Sequence, residues 1–167
     1  MTDVSPRLES QDEARAFREA MARVPTLVSV VTTDGREGPV GCTANAVMSL
    51  STRPPSLVVS LACDGSTATA AIEAGRFAVN VLGWNQRLLI DRFARGPHSS
   101  RFAGVRLRRS HGVSVLDRSA VTITCDLDRS VPLLDHLLLV GTVTSTIGEE
   151  SAESLVFCHR KPYQLAE

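Results

Sequence analysis

The stretch from Val40 to Ala62, VGCTANAVMSLSTRPPSLVVSLA, begins and ends like a β-strand but has small residues in its middle. A strand that only fills a core uses larger, branched side chains. Small residues let the backbone approach a flat ligand closely, and Thr43 and Asn45 could then orient that ligand through hydrogen bonds. The alternative is a strand that packs tightly against a helix, and the stretch by itself favours this alternative.

The composition predicts one ordinary globular domain over residues 1–167. The 18 Lys and Arg residues balance the 18 Asp and Glu residues, so the formal net charge is zero. This balance argues against nucleic acid or an anionic membrane as a partner. Because no apolar segment approaches the length of a membrane span and the N-terminus is polar, we expect no membrane association and a cytoplasmic protein.

The cysteines argue against a metal site. The four residues Cys42, Cys63, Cys125 and Cys158 are far apart in sequence and form no CxxC pair. Zinc sites usually need such pairs, so no metal is expected. Reduced, buried thiols are the simpler interpretation.

The periodicity predicts a mainly β protein with short helices. Ser10 and Glu13 have the spacing of a capping box, which predicts an N-terminal helix over about residues 10–24. A short helix should begin near Ser66 and end at Gly75, residues 84–94 also look helical, and residues 95–112 are expected to form a polar loop. Strands are predicted at residues 27–33, 56–62, 77–82, 120–127, 136–147 and 155–159. This pattern favours a barrel over about residues 27–163 rather than a doubly wound sheet.

The motifs of common enzyme classes are missing from this sequence. It has no GxSxG elbow, HExxH pair, P-loop or GxGxxG turn. An enzyme without these features can still work when an organic cofactor carries the reaction. A flavin would suit the small-residue stretch, because its ring is flat and carries polar atoms along one edge.

The order of seven segments resembles the short-chain flavin reductase family. These segments are VVTTDG, VGCTANAVMSLSTRPPSLVVSLA, STATAAI, GRFAVNVL, RFA followed by SSRFAGV, DHLLLVGTV and LVFCHRKPY. The resemblance implies a split β-barrel of the FMN-binding type. It also implies a homodimeric NAD(P)H:flavin oxidoreductase that passes hydride from NADH or NADPH to FAD or FMN. The reduced flavin would then serve a separate flavin-dependent monooxygenase. The alternative is a flavin-binding electron-transfer or binding module that does not oxidise nicotinamide.

Three polar segments of the family have counterparts here and imply flavin-binding roles. They are Thr43, Ala44 and Asn45 (T-A-N), Ser49 and Ser51 (S-x-S), and Ser66, Thr67 and Thr69 (S-S-x-T). The first segment lines the flavin ring in the family, and the third suits the flavin phosphate at a helix start. Without the resemblance, Ser66 is a plain helix N-cap.

The remaining candidates lie in the second half of the chain. The resemblance places His136 near flavin and nicotinamide, as the catalytic residue, although Leu134 replaces the glycine of the family's G-D-H motif. It implies flavin contacts for Arg101 and Phe102, and likewise for His159, Arg160 and Tyr163, which otherwise suit a solvated edge strand. Asn80 is either a core amide or a flavin or dimer contact. We expect His98 and His111 to face solvent.

Overall fold

Eleven strands and three short helices form the protein in the computed structural model, which describes residues 11–165. The strands are β1 (Ser29–Gly35), β2 (Gly38–Ala44), β3 (Val47–Thr52), β4 (Pro55–Ala62), β5 (Arg76–Val81), β6 (Leu107–Ser110), β7 (Val113–Leu116), β8 (Val121–Leu133), β9 (His136–Gly148), β10 (Leu155–Cys158) and β11 (Lys161–Gln164). The helices are α1 (Gln11–Met21), α2 (Ser66–Ala74) and α3 (Leu89–Arg95), with 3-10 turns at Trp84–Gln86 and His98–Ser100.

Seven of the strands form one antiparallel sheet in the order β2-β1-β5-β8-β9-β4-β3. The strands at its two ends, β2 and β3, are consecutive in the chain and are joined by residues 45 and 46 alone. The sheet must therefore curl until its edges approach each other at this connection. The result is the predicted split barrel, and the small-residue stretch lies at the split.

Both faces of β1 are covered, which explains why Ser29 to Thr33 are all buried. On one side, Val31, Val59 and Phe77 pack with the alanines of α2. On the other side, a second cluster joins Val30 and Phe93 to neighbouring apolar residues. Burial of both faces removes the alternation that a half-exposed strand shows.

The structure corrects several predicted boundaries. The first helix ends at Met21 instead of residue 24, and the proposed capping residue Ser10 lies outside the described residues. Residues 95–112 are not a featureless loop, because they contain the turn at His98–Ser100 and strand β6. Strand β8 continues to Leu133, well beyond its predicted end at residue 127.

Asn80 is a core amide. Its Nδ2 donates to the Val30 carbonyl at 2.8 Å and to Thr32 Oγ1 at 3.0 Å, and its Oδ1 accepts from the Leu116 backbone N–H at 2.9 Å. The fully buried side chain thereby joins β1, β5 and β7. Its bonds explain its position without a ligand.

Across residues 11–165, none of the helices combines the length and the apolar character that a bilayer crossing requires.

Candidate functional site

A surface cleft of about 510 Å³ opens at the split of the barrel. The β2–β3 connection, the end of β4, the start of α2, α3 and the first residue of β9 contribute to its walls. Seven predicted site residues line it: Thr43, Ala44, Asn45, Ser66, Thr67, Arg101 and His136. The fold therefore brings together candidates that lie up to 93 positions apart, from residue 43 to residue 136.

Small side chains give the cleft its room. Five alanines and one glycine line it, at positions 44, 46, 62, 65, 68 and 94. Ala44 and Ala68 are buried, so a larger side chain at either position would displace the core. Small lining residues leave room for a flat ring to approach the backbone.

Thr43 and Asn45 make different contributions to this wall. The Thr43 hydroxyl donates to the Ile90 carbonyl at 2.7 Å and ties β2 to α3. Asn45 is exposed, and its amide forms no hydrogen bond with the rest of the described chain. Thr43 therefore supports the wall, while the Asn45 amide is available to a ligand.

Arg101 brings a positive charge to the cleft. Its side chain is buried and donates through Nε to the Gly96 carbonyl at 3.0 Å and through Nη1 to the Gly41 carbonyl at 2.9 Å. None of the ion pairs found within residues 11–165 involves Arg101. Since carbonyls hold the guanidinium in place without neutralising it, the charge can act on an anion in the cleft.

Phe102 supports this wall from behind. Its ring packs edge-to-face on Phe93, with the centroids 4.9 Å apart. A Cβ atom on Gly41 would lie 3.0 Å from Phe102 Cζ and 2.9 Å from the Val31 carbonyl oxygen. Gly41 is therefore required for close packing between β2 and this ring, and Phe102 does not line the cleft itself.

The first turn of α2 forms the opposite end of the cleft. The N-cap residue is Gly65, so the prediction of Ser66 as the N-cap is wrong. Ser66 is the first helical residue, and its Oγ lies 3.2 Å from His98 Nδ1. The buried Thr67 hydroxyl has no hydrogen-bond partner among residues 11–165. An unpaired buried hydroxyl is uncommon, and beside free helix amides it suits an anionic ligand.

The thiols of Cys42 and Cys125 are unreactive. Burial raises the pKa of Cys42, although the neighbouring Thr67 hydroxyl and the Arg101 charge act in the opposite direction. The thiol and the Thr67 hydroxyl are neighbours but lack the geometry of a hydrogen bond. Burial, reinforced by the Asp126 charge, raises the pKa of Cys125 to about 12. Both thiols therefore stay protonated at neutral pH and react slowly.

The structure corrects the prediction of four buried thiols. All four are free, but Cys63 is exposed, Cys42 and Cys158 are half-buried, and only Cys125 is fully buried. Apolar neighbours in sequence do not bury Cys63, because it lies in the turn that follows β4. The residues from 11 to 165 contain no cluster of His, Cys, Asp and Glu side chains that could hold a metal ion.

His136 stands at the cleft as the first residue of β9. Its Nδ1 lies 2.7 Å from Asp135 Oδ1, and its side chain is 47% exposed. The hydrogen bond with His136 holds the pKa of Asp135 below its usual range, and a backbone hydrogen bond and the histidine charge act in the same direction. Because the carboxylate engages Nδ1, Nε2 is the ring nitrogen left for a ligand.

Six further predicted residues do not line the cleft, among them Arg160 in the β10–β11 turn. Ser49 and Ser51 lie on the exposed edge strand β3, and Thr69 lies farther along α2, beside a second groove. His159 occupies the β10–β11 turn with a φ of 49°, and Tyr163 follows in β11 with 47% exposure. Their flavin contacts remain predictions.

His98 is a polar cleft residue that sequence reasoning missed. It is exposed, as expected, but it also lines the cleft and pairs with Ser66. It lies three positions before Arg101, one turn away, in the segment PHSSR. That spacing was the available signal, because polar residues around His98 otherwise resemble an ordinary loop.

Sequence comparisons relate this chain to known proteins. The model of the flavin reductase like domain family matches residues 21–166. The chain is 36% identical over 146 residues to the actinorhodin polyketide dimerase of Streptomyces coelicolor, covering 87% of this chain and 82% of the relative. It is 34% identical over 152 residues to the NADH-dependent FMN reductase RutF of Pseudomonas syringae, covering 90% and 85%.

A solved structure supports the same fold. BorF, the flavin reductase component of a bacterial two-component tryptophan halogenase, superposes with a TM-score of 0.84 at 26% identity. The match covers 92% of this chain and 99% of BorF. The similarity therefore extends over almost the whole of both proteins.

Proposed function

The chain belongs to the flavin reductase-like family, and on that premise we propose that it is an NAD(P)H:flavin oxidoreductase. It reduces FMN or FAD and supplies the free reduced flavin to a partner monooxygenase. The partner is proposed by analogy with BorF, which is the reductase component of a two-component system. A cytoplasmic location belongs to the same proposal and is consistent with four free thiols.

The observation that carries this proposal is a cleft that combines small residues with unpaired polar groups. Alanine side chains leave room for a flat ring, and the Asn45 amide is free to bind its polar edge. At the other end, Arg101, Ser66 and Thr67 offer a cation, a hydroxyl and the start of a helix to a phosphate. These residues fit a flavin chain that carries a phosphate.

A bound flavin supplies the acceptor for a hydride from the nicotinamide, and the protein supplies position and charge. Arg101 is held by two carbonyls, so its charge is fixed before any ligand enters. His136 is oriented by Asp135 and presents Nε2 as a hydrogen-bonding group for the nicotinamide. Hydride transfer requires no general base, so the residues of the cleft need only hold the flavin and the nicotinamide in place.

Turnover by the purified protein tests this function. NADH and NADPH oxidation should increase with added FMN or FAD, since free flavin is the substrate. A protein that binds flavin without oxidising either nucleotide would be a binding module. A protein that neither binds flavin nor oxidises nicotinamide would contradict both assignments.

Substitution at Asn45 tests whether this cleft is the flavin site. Asn45→Leu should abolish flavin binding in a folded protein, because it removes the free amide and adds an apolar side chain beside the ring. Asn85→Leu is the matched control, since Asn85 is an exposed asparagine that does not line the cleft. Titration with FMN and FAD measures the effect, and unchanged affinity in Asn45→Leu would remove Asn45 from the site.

A further inference from the structure

A second groove of about 810 Å³ adjoins the cleft. It lies between the β1–β2 turn, the outer side of α2 and the turn at His98–Ser100. Ser66 and His98 line both cavities, and their side chains lie 3.2 Å apart. This pair therefore marks the junction of the two cavities, and a ligand that occupies both would lie across it.

The groove has an apolar wall suited to a second flat ring. Pro39, Val40 and Phe102 form part of its lining. At the β1–β2 turn, Gly38 has a φ of 133° and open space where a Cβ would stand. Bare backbone next to apolar side chains lets a planar heterocycle pack closely.

Charged groups on the rim suit the polar parts of a nucleotide. Arg36 Nε lies 3.7 Å from Glu73 Oε2, and both side chains are largely exposed. Glu37 also lines the groove. The carboxylates can accept hydrogen bonds from ribose hydroxyls or an exocyclic amine, while Arg36 can approach a phosphate.

We propose that this groove binds the adenylate half of FAD, an assignment that rests on the proposed function. The ring would lie in the cleft, the diphosphate at the junction of Ser66 and His98, and the adenine against the apolar wall. Riboflavin then fills only the cleft, FMN reaches the junction, and FAD fills both cavities. The protein should accordingly bind FAD more tightly than FMN.

NADH also carries an adenylate half, which could bind in the same groove as that of FAD. FAD is favoured because the groove begins at Ser66 and Thr69, the residues assigned to the flavin phosphate. The nicotinamide, in contrast, is assigned to His136, which lines the cleft but not the groove. The experiment separates the two sources by using riboflavin, which lacks an adenylate.

Ala70→Phe is the test variant, because Ala70 lines the groove and does not line the cleft. Ile72→Phe is its control, since Ile72 is 42% exposed on the same helix and lines neither cavity. Fluorescence titration without nicotinamide should show FAD binding about tenfold weaker in Ala70→Phe. Riboflavin and FMN affinities should be unchanged, and Ile72→Phe should match the native protein for all three flavins.

A second substitution tests the proposal independently, in case Ala70→Phe does not fold. Arg36→Gln removes a charge from an exposed rim residue and should weaken FAD binding without affecting riboflavin. Equal loss of all flavins in both variants, or no selective loss of FAD in either, would overturn the proposal.

A kinetic experiment with the same variants measures the KM for NADH, with riboflavin as the acceptor. An unchanged KM in Ala70→Phe is expected, whereas a raised KM with unchanged FAD affinity would assign the groove to NADH and overturn the FAD assignment. Failure of the proposed function would appear differently. The native protein would then oxidise no nicotinamide with any flavin, while the binding titrations would still report on the groove.

Discussion

Asp135 and His136 form a hydrogen-bonded pair, and His136 lines the cleft. If His136 positions the nicotinamide, His136→Ala should slow hydride transfer more than it weakens flavin binding. Loss of one positioning hydrogen bond costs about 1–3 kcal/mol, or roughly ten- to a hundred-fold in rate. Stopped-flow reduction at saturating flavin measures the rate, and an Ala variant with the native rate would make His136 a structural residue.

The pH dependence of this pair follows from Asp135. Its pKa is lowered, so the carboxylate stays ionised and its bond to His136 is complete at neutral pH. That bond should be lost only as the pH falls through the lowered pKa of Asp135. In Asp135→Asn the amide oxygen can still accept a hydrogen bond, but without the charge. We expect this variant to fall between the native protein and His136→Ala in rate, with an altered pH profile.

Single residues differ in how far the sequence predicts them. A motif fixes the sequence neighbours of His136 and of the segment from Thr43 to Asn45, so the sequence alone nominates them, and all of them line the cleft. His98 was missed because its role depends on a contact with Ser66 across 32 positions. The sequence likewise does not show that the Arg101 guanidinium is fixed in place. The two carbonyls that accept its hydrogen bonds belong to Gly41 and Gly96, which lie in separate segments of the chain.

Among the elements, β1, β5 and β7 are linked by the hydrogen bonds of the Asn80 side chain. Asn80→Leu keeps a similar volume but leaves the buried Leu116 N–H without its acceptor. The free energy of unfolding should fall by about 1–3 kcal/mol, as for other buried donors left unpaired. Urea unfolding measures this loss. Asn85→Leu should change stability by less than about 0.5 kcal/mol, and an equal effect of both variants would contradict this role for Asn80.

The predicted elements were those with a clear periodic pattern or a strong stop signal. The helix from Ser66 ends as expected, because Gly75 adopts a left-handed conformation with a φ of 66°. Strand β3 was not predicted as a separate strand, since five of its six residues are exposed and show no alternation. Strands β6 and β7 form a small hairpin outside the main sheet, and only tertiary packing reveals the burial of β7.

For the molecule as a whole, exposed apolar residues favour a homodimer. Met48 and Leu50 are 59% and 51% exposed on the edge strand β3, and Leu133 and Leu134 are 54% and 94% exposed at the β8–β9 turn. Apolar edges and turns of this kind are usually covered by a partner. Sedimentation at micromolar concentration should therefore detect a dimer.

Two substitutions localise the proposed dimer contact. Leu134→Asp should shift the equilibrium towards monomer, because it places a charge in the apolar contact. Leu88→Asp is the control, since Leu88 is 78% exposed but belongs to neither β3 nor the β8–β9 turn. A native protein that remains monomeric, or a Leu134→Asp variant that remains as dimeric as the control, would contradict this assignment.

The β8–β9 turn also links assembly to the rate measured in an assay. His136 follows the exposed Leu134 by only two residues. If a second subunit covers this turn, dilution below the dissociation constant would uncover it and loosen the histidine. Turnover per mole of protein would then fall as the sample is diluted and recover on concentration. Two laboratories that assay the same preparation at different dilutions would obtain different specific activities, and both values would be correct.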